Sequence, residues 1–279
     1  MKIPYKHLIK HIESNPSIEE LSKNLFQLGH EHEIENNIFN FELTPNRGDC
    51  FSLIGILREL KIFYEVDIKF DTYKKDLKSL DINFENEEQN LCNIISFMNL
   101  EINDIPKSYN KELNDYFNDL QINKNNFFTD VSNFISYEMG QPTHCYDASN
   151  INKNIILKNL QGNYKFKTLL DKEIELTDNN LVFLDKHNNI INLAGVVGSK
   201  DSACSDTTKN VLIECAYFNP EAIIGKSLKY DIKSDAAHKF ERGVDPSCHE
   251  LVLRRFLKII DMHAEIKNAE IVHKIYNPL

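Results

Sequence analysis

No two of the six cysteines form a C-x-x-C pair; Cys50, Cys92, Cys145, Cys204, Cys215 and Cys248 lie far apart. That scatter disfavours a zinc ribbon and a redox motif and reads as reduced thiols in cytoplasm. No run of five basic residues occurs, and the net charge is -10, which excludes a general polyanion binder and makes any RNA contact local or shared with a partner. No stretch of about 18 apolar residues and no signal-peptide core appears, so the chain reads as soluble, cytoplasmic and without membrane contact. Internal repeats and low-complexity segments are absent too. What is present is 279 residues at 42% hydrophobic content, enough for one or two domains with sizeable cores.

Ser17-Ile18-Glu19-Glu20 reads as a capping box, followed by Ile18, Leu21, Leu25 and Leu28 at helical spacing and Gly29 as a left-handed stop. A second helix is expected after the Pro45–Asp49 turn, with Leu53, Ile56, Leu57, Leu60 and Phe63 as its apolar stripe through Tyr64. The polar stretch from Asp71 to Asn90 is the linker candidate. Beyond it, 93–102 alternates like a strand, and helices are expected over 111–120 and 130–139, the latter closed by Gly140 and barred from continuing by Pro142. The chain must then turn back before His144, which predicts that Asn133 and His144 face one another. Apolar runs at 155–160, 166–170, 181–184, 190–197 and 211–215 read as strands, and 246–262 as a closing helix with Leu251, Leu253, Phe256, Ile259 and Ile260 on its apolar side. The organisation is α+β: a small helical N-terminal domain over 1–75, a linker over 76–90 and a mixed-sheet domain over 91–279.

Gly225-Lys226-Ser227 lacks the glycine a phosphate loop needs five positions earlier, where Pro220 stands. His30-Glu31-His32-Glu33 and the His7/His11 pair lack zinc-centre spacing and read as solvated surface histidines, so no metal site is expected. Gly195-Val196-Val197-Gly198 lacks the third glycine of a dinucleotide turn and reads as a strand-end turn that brings backbone close to a ligand. Asn133, His144, Gly198, Glu214, Ser234 and Ala236 each lie beside a turn or an element end, where a pocket forms. In such a pocket His144 and Asn133 can orient water, and the backbone around Gly198 can approach a substrate. Glu214 sits in the apolar run Val211-Leu212-Ile213-Glu214-Cys215-Ala216, where it is either a buried carboxylate needing a partner or an ordinary strand residue facing solvent.

Three motifs go further: Thr44-Pro45-Asn46-Arg47-Gly48-Asp49-Cys50 with the helix Gly55 to Leu60, then Asp130-Val131-Ser132-Asn133 with Gly140 to Asp147, and Ser234 to Pro246. Together with Ala194 to Gly198 and Leu212 to Ala216, they resemble the beta subunit of bacterial phenylalanyl-tRNA synthetase, over its N-terminal and tRNA-editing domains. The resemblance implies a component of phenylalanine-tRNA ligase, an α2β2 tetramer in which an alpha subunit uses ATP and magnesium to charge tRNA(Phe). It implies that this segment hydrolyses mischarged tyrosyl-tRNA(Phe) and carries no cofactor of its own. By motif position, His144 and Asn133 would be the catalytic pair, and Glu214, Gly198, Ser234 and Ala236 would bind substrate. Glu214 would read the tyrosine hydroxyl, and Ala236 would leave room for the ring. The family's tRNA-binding insertion before Thr44 is absent, as are its later domains after Leu279, so the chain reads as a fragment or a shortened subunit. Ser199 replaces a usual glycine, and Asn123 and Phe127 replace a usual arginine and asparagine. Two alternatives stand beside the editing hydrolase: a non-catalytic structural or tRNA-docking module, and a free-standing deacylase acting in trans.

Overall fold

The computed structural model describes residues 1–68, 71–151 and 153–277. The N-terminal region alternates short strands and helices: β1 (Lys2–Pro4), α1 (Tyr5–Ile9), α2 (Ile18–Gln27), β2 (His32–Glu35), β3 (Ile38–Phe41) and α3 (Leu53–Leu60). Ser17 caps α2 by accepting from the Glu20 amide at 3.2 Å, and Gly29 ends that helix region at φ 81°. The helices were expected; the antiparallel sheet β1-β3-β2 between them was not. Its strands are only three or four residues long, too short for a period-2 signal to stand out.

The remainder comprises β4 (Lys78–Ser79), β5 (Asn83–Asn86), β6 (Cys92–Ile102), α4 (Lys111–Leu120), α5 (Phe127–Met139), β7 (Thr143–Asp147), β8 (Asn154–Gln161), β9 (Tyr164–Lys167), β10 (Glu173–Leu176), β11 (Asn179–Asp185), β12 (Ile190–Leu193), β13 (Val197–Gly198) and β14 (Asn210–Phe218). Four helices and a strand close the chain: α6 (Pro220–Ile223), α7 (Lys226–Lys229), α8 (Asp235–Phe240), α9 (His249–Asp261) and β15 (Ile266–Ile275). One five-stranded sheet has the order β4-β15-β6-β14-β7 and a second the order β13-β12-β11-β8-β5. Parallel and antiparallel pairs occur in both, which makes the fold mixed-sheet α+β.

Strand alternation divides the first sheet's side chains between two cores. Val211, Ile213, Cys215, Met98 and Leu100 join one cluster with α5, α9 and the buried N-terminal residues. Leu212, Ala216, Ile95, Phe97 and Tyr146 join a second cluster with the other sheet. The first sheet is therefore a partition, with helices on one side and the second sheet on the other.

Several local expectations need correction. The segment expected as a linker contributes β4 and β5, which pair with β15 and β8. The helix expected to reach Tyr64 stops at Leu60, where tighter bonds from Ile62 and Phe63 to Glu59 and Leu60 take over. Helix α9 is not the last element: β15 follows and pairs with β6 along its length. Leu251 is exposed on α9, whereas Val252 and Leu257 are buried. His7, His30 and His32 are buried rather than solvated. His7 bonds Tyr137 at 2.7 Å and Asp119 at 2.8 Å, and His32 bonds Ser22 at 2.8 Å, so polar partners inside the fold replace water. No helix among the described residues is long and apolar enough to cross a membrane.

Candidate active site

The edge strand β7 organises the site. Helix α5 ends at Gly140, whose φ of 82° is the left-handed stop the sequence suggested. The buried Gln141 side chain donates to the Ala216 carbonyl at 3.0 Å and so fastens the following turn to β14. Along β7 the side chains then alternate. Thr143 and Cys145 face α5, with Ser132 Oγ 2.7 Å from the Thr143 carbonyl and Cys145 Sγ 3.6 Å from the Phe128 carbonyl. His144 and Tyr146 face the second sheet, and His144 lies directly opposite Glu214 in the β14 register.

Glu214 is the buried alternative of the two left open by the sequence, at 4% exposure. Its Oε2 accepts from the Tyr146 hydroxyl at 2.7 Å and from Asn192 Nδ2 at 3.3 Å, and Asn192 also donates to Tyr146 at 2.9 Å. Burial, with no cation to offset it, pushes the carboxyl up to about 7, and the Tyr146 and Asn192 bonds pull the other way. His144 stands edge-on to Tyr146, with ring centroids 4.4 Å apart. Burial alone lowers its imidazole to about 4, and Nε2 is sealed without a partner. The usual order of basicity is inverted: Glu214 holds a proton more tightly than His144 and is about half protonated near pH 7, the kind of divergence that lets neighbouring groups take acid and base roles. Gly198 is required here, because a Cβ would stand 2.6 Å from His144 Nε2 and 3.1 Å from Leu169 Cδ2.

A cavity of about 840 Å³ opens beside the start of β7. Asn133 and Ser136 of α5, Thr143 of β7, and Ser234, Ala236 and Lys239 of the α8 region line it. Ser234 caps α8 by accepting from the Ala237 amide at 3.1 Å and donates to the Val196 carbonyl at 2.7 Å. That second bond ties the cavity wall to the turn leading into Gly198.

The six residues singled out from sequence thus fall into two adjoining groups. Asn133, Ser234 and Ala236 line the cavity, while His144, Gly198 and Glu214 meet between the sheets. Asn133 and His144 do not face one another, because α5 packs on the Thr143 and Cys145 face of β7 and His144 points to the other. Asn123 lines the cavity, Phe127 is buried at the start of α5, and Ser199 is buried with its amide on the Ile191 carbonyl. Tyr146, Asn192 and Lys239 were missed. Tyr146 carried a signal, its two-residue spacing from His144, but Asn192 is brought in only by sheet pairing.

Among the described residues, His30, Cys50 and Glu59 place their ligand atoms within 4.8 Å of one another. Arg47 Nη2 already lies 2.7 Å from Cys50 Sγ and 2.8 Å from Glu59 Oε2, so an arginine supplies the positive charge in that cluster.

The B3/4 domain family matches residues 99–265, more than half of the chain. A phenylalanine–tRNA ligase beta subunit of Psychrobacter arcticus is 30% identical over 235 residues, covering 81% of this chain. One from Legionella pneumophila is 32% identical over 234 residues, again covering 81% of this chain. The chain spans about 29% of the length of these curated relatives. A crystal structure of an N-terminal fragment of the phenylalanyl-tRNA synthetase beta subunit from Pyrococcus horikoshii aligns over 95% of this chain and 74% of that one, at 15% identity and a TM-score of 0.44.

Proposed function

The chain belongs to the B3/4-domain family, and from that premise we propose that it acts within a phenylalanine-tRNA ligase as the part that hydrolyses mischarged tyrosyl-tRNA(Phe). The observation that carries the reading is the cavity lined by Asn133, Ser234 and Ala236, backed by the His144–Gly198–Glu214 cluster. Ester hydrolysis needs a positioned water, a group to take its proton and donors for the oxyanion. Asn133 orients water in the cavity, while His144 holds the Gly198 backbone wall in place. Glu214, about half protonated near pH 7, can in its protonated form donate to a phenolic oxygen as well as hold Tyr146. Discrimination against phenylalanine follows, since a site that pairs a hydroxyl leaves polar groups unpaired when the hydroxyl is missing. Under this reading the ligation step, with its ATP and magnesium, belongs to an alpha subunit in an α2β2 tetramer. Cytoplasm is the compartment that fits.

The experiment is release of tyrosine from preformed tyrosyl-tRNA(Phe) by the purified chain, beside phenylalanyl-tRNA(Phe) and a Glu214→Ala variant. Fast, tyrosine-selective release that the variant loses is expected; release no faster than the uncatalysed rate, in the chain and in the tetramer, overturns the reading. A second reading, a structural or tRNA-docking module, is favoured by one observation: the hydroxyl bound to Glu214 in this structure is the chain's own Tyr146.

A further inference from the structure

Helix α8 sends one cation into the cavity wall. Lys239 is 8% exposed, and its ammonium donates to the Ser136 carbonyl and, at 3.0 Å, to Ser136 Oγ. Both acceptors are neutral, and among the described residues no carboxylate lies within ion-pair distance of it. The ordinary partner would be Asp235, one turn earlier at the i,i+4 spacing that pairs opposite charges on a helix. Asp235 instead stays exposed at the cavity and makes no ion pair with it. Burial lowers the Lys239 ammonium to about 8, with Asp235 near enough to pull the other way without forming an ion pair, and leaves it charged near neutral pH. A buried charge without a counter-ion is costly in a folded protein, and this one stands where a ligand can supply the missing charge.

The chemistry of the ligand follows from the proposed reaction, on which this inference rests. In an aminoacyl ester the amino acid's carboxyl is esterified and its amine is a cation, so the amino-acid end carries no standing negative charge for a lysine to pair with, only a carbonyl oxygen that becomes anionic transiently in the reaction. The RNA end does, in the phosphodiesters that precede the terminal ribose. We propose that Lys239 is an anion-binding residue of the cavity and takes a phosphodiester oxygen of the RNA strand bearing the ester. One lysine so placed reconciles RNA binding with a chain of net charge -10, because the contact is local and buried instead of spread over a basic surface.

The test is binding of an uncharged acceptor-stem minihelix ending in CCA to the full chain, its Lys239→Met variant and its Lys239→Arg variant, at several salt concentrations. Lys239→Met is expected to weaken binding about tenfold or more and to make the log–log salt dependence shallower by about 0.7, with Lys239→Arg restoring most of both. Inorganic phosphate should compete with the minihelix on the wild-type chain and much less on Lys239→Met. Unchanged affinity and salt slope in a folded Lys239→Met variant overturn the inference. Should that variant not fold, acylation of Lys239 in the wild-type chain, read by mass spectrometry, decides: protection by the minihelix is expected, and equal modification with and without it overturns the inference. Lys239-dependent binding without any tyrosyl-tRNA hydrolysis would sink the editing reading while leaving the anion site standing; hydrolysis with a KM indifferent to Lys239→Met would do the reverse.

Discussion

Two glutamates lie equally deep on opposite sides of the large sheet, and the fold treats them differently. Glu138, on α5 in the helical layer, is met by Arg255 through two bonds of 2.8 Å. Burial raises its carboxyl and the guanidinium opposes that shift. Glu214, between the sheets, has only the hydroxyl of Tyr146 and the amide of Asn192. The first is closed: Arg255, which also meets the exposed Glu112 at 2.7 Å, supplies a counter-charge inside the protein. The second is open, holding a carboxyl whose proton is exchangeable near pH 7. Burial alone does not nominate a functional group; burial without a counter-charge, next to a cavity, makes a candidate of one.

The sharpest way to break this comparison is to remove the cation from the closed side. Arg255→Met should cost about 3–5 kcal/mol of stability, because it leaves Glu138 buried and uncompensated. Denaturant melts at neutral pH would measure it, and adding Glu138→Leu to Arg255→Met should recover much of the loss. A cost near zero for the single variant would show that the pair is not closed in the sense argued.

The next test acts on the open side through pH. Glu214 titrates at about 7 in the folded chain against an ordinary 4.5. The folded state therefore keeps a proton that the unfolded state loses, and the Glu214 contribution to stability falls as pH rises from about 4.5 to about 7, against the rising contributions of His144 and His249, whose imidazoles burial lowers to about 4. The difference is on the order of 3 kcal/mol. Glu214→Gln, which cannot ionise, should remove that falling contribution, whereas Arg255→Lys should leave it in place. A stability difference between the wild type and Glu214→Gln that does not fall with pH across the window would contradict the assignment.

A smaller effect separates backbone from charge. Gly198→Ala puts a methyl where His144 Nε2 and Leu169 Cδ2 stand, and overpacking of this kind costs about 1–3 kcal/mol. Under the proposed function it should also lower tyrosyl-tRNA hydrolysis while leaving amide protection in α5, read by hydrogen exchange, close to that of the wild-type chain. Equal losses on both sides would mean that the two cores are not separable.

The same contrast explains what could be read from sequence. Helix α2 with its Ser17 cap, α5 with its Gly140 stop, and β14 were legible because local periodicity and end signals agree there. Strand β15 was not, since it carries Lys267, Asn268, Glu270, His273 and Lys274 among its apolar residues and owes its place to pairing with β6. Of the site, Asn133, Ser234 and Ala236 line the cavity and the other three lie next to it, but Asn133 stands in the middle of α5 and Glu214 in the middle of β14, not at the element ends expected. Their grouping was not legible: whether Asn133 meets His144 depends on which way one edge strand turns its odd and even side chains. The histidines show the limit most plainly, since nothing local in His7 or His32 announces the distant tyrosine, aspartate or serine that makes its burial tolerable.

The least costly change tests the seam between the two groups. Ser234 makes two bonds, one capping α8 and one to the Val196 carbonyl that leads into Gly198. Ser234→Ala removes the cap, for about 1 kcal/mol, and leaves the buried Val196 carbonyl without that donor. Ser234→Thr keeps both bonds and should behave like the wild-type chain. If the seam couples the cavity to the His144 cluster, Ser234→Ala raises KM for tyrosyl-tRNA and also changes the environment of His144, visible as a shifted imidazole resonance. If the KM moves and the imidazole does not, the cavity and the inter-sheet cluster are neighbours that share a wall but not a function, and the catalytic groups must be sought among the cavity residues alone.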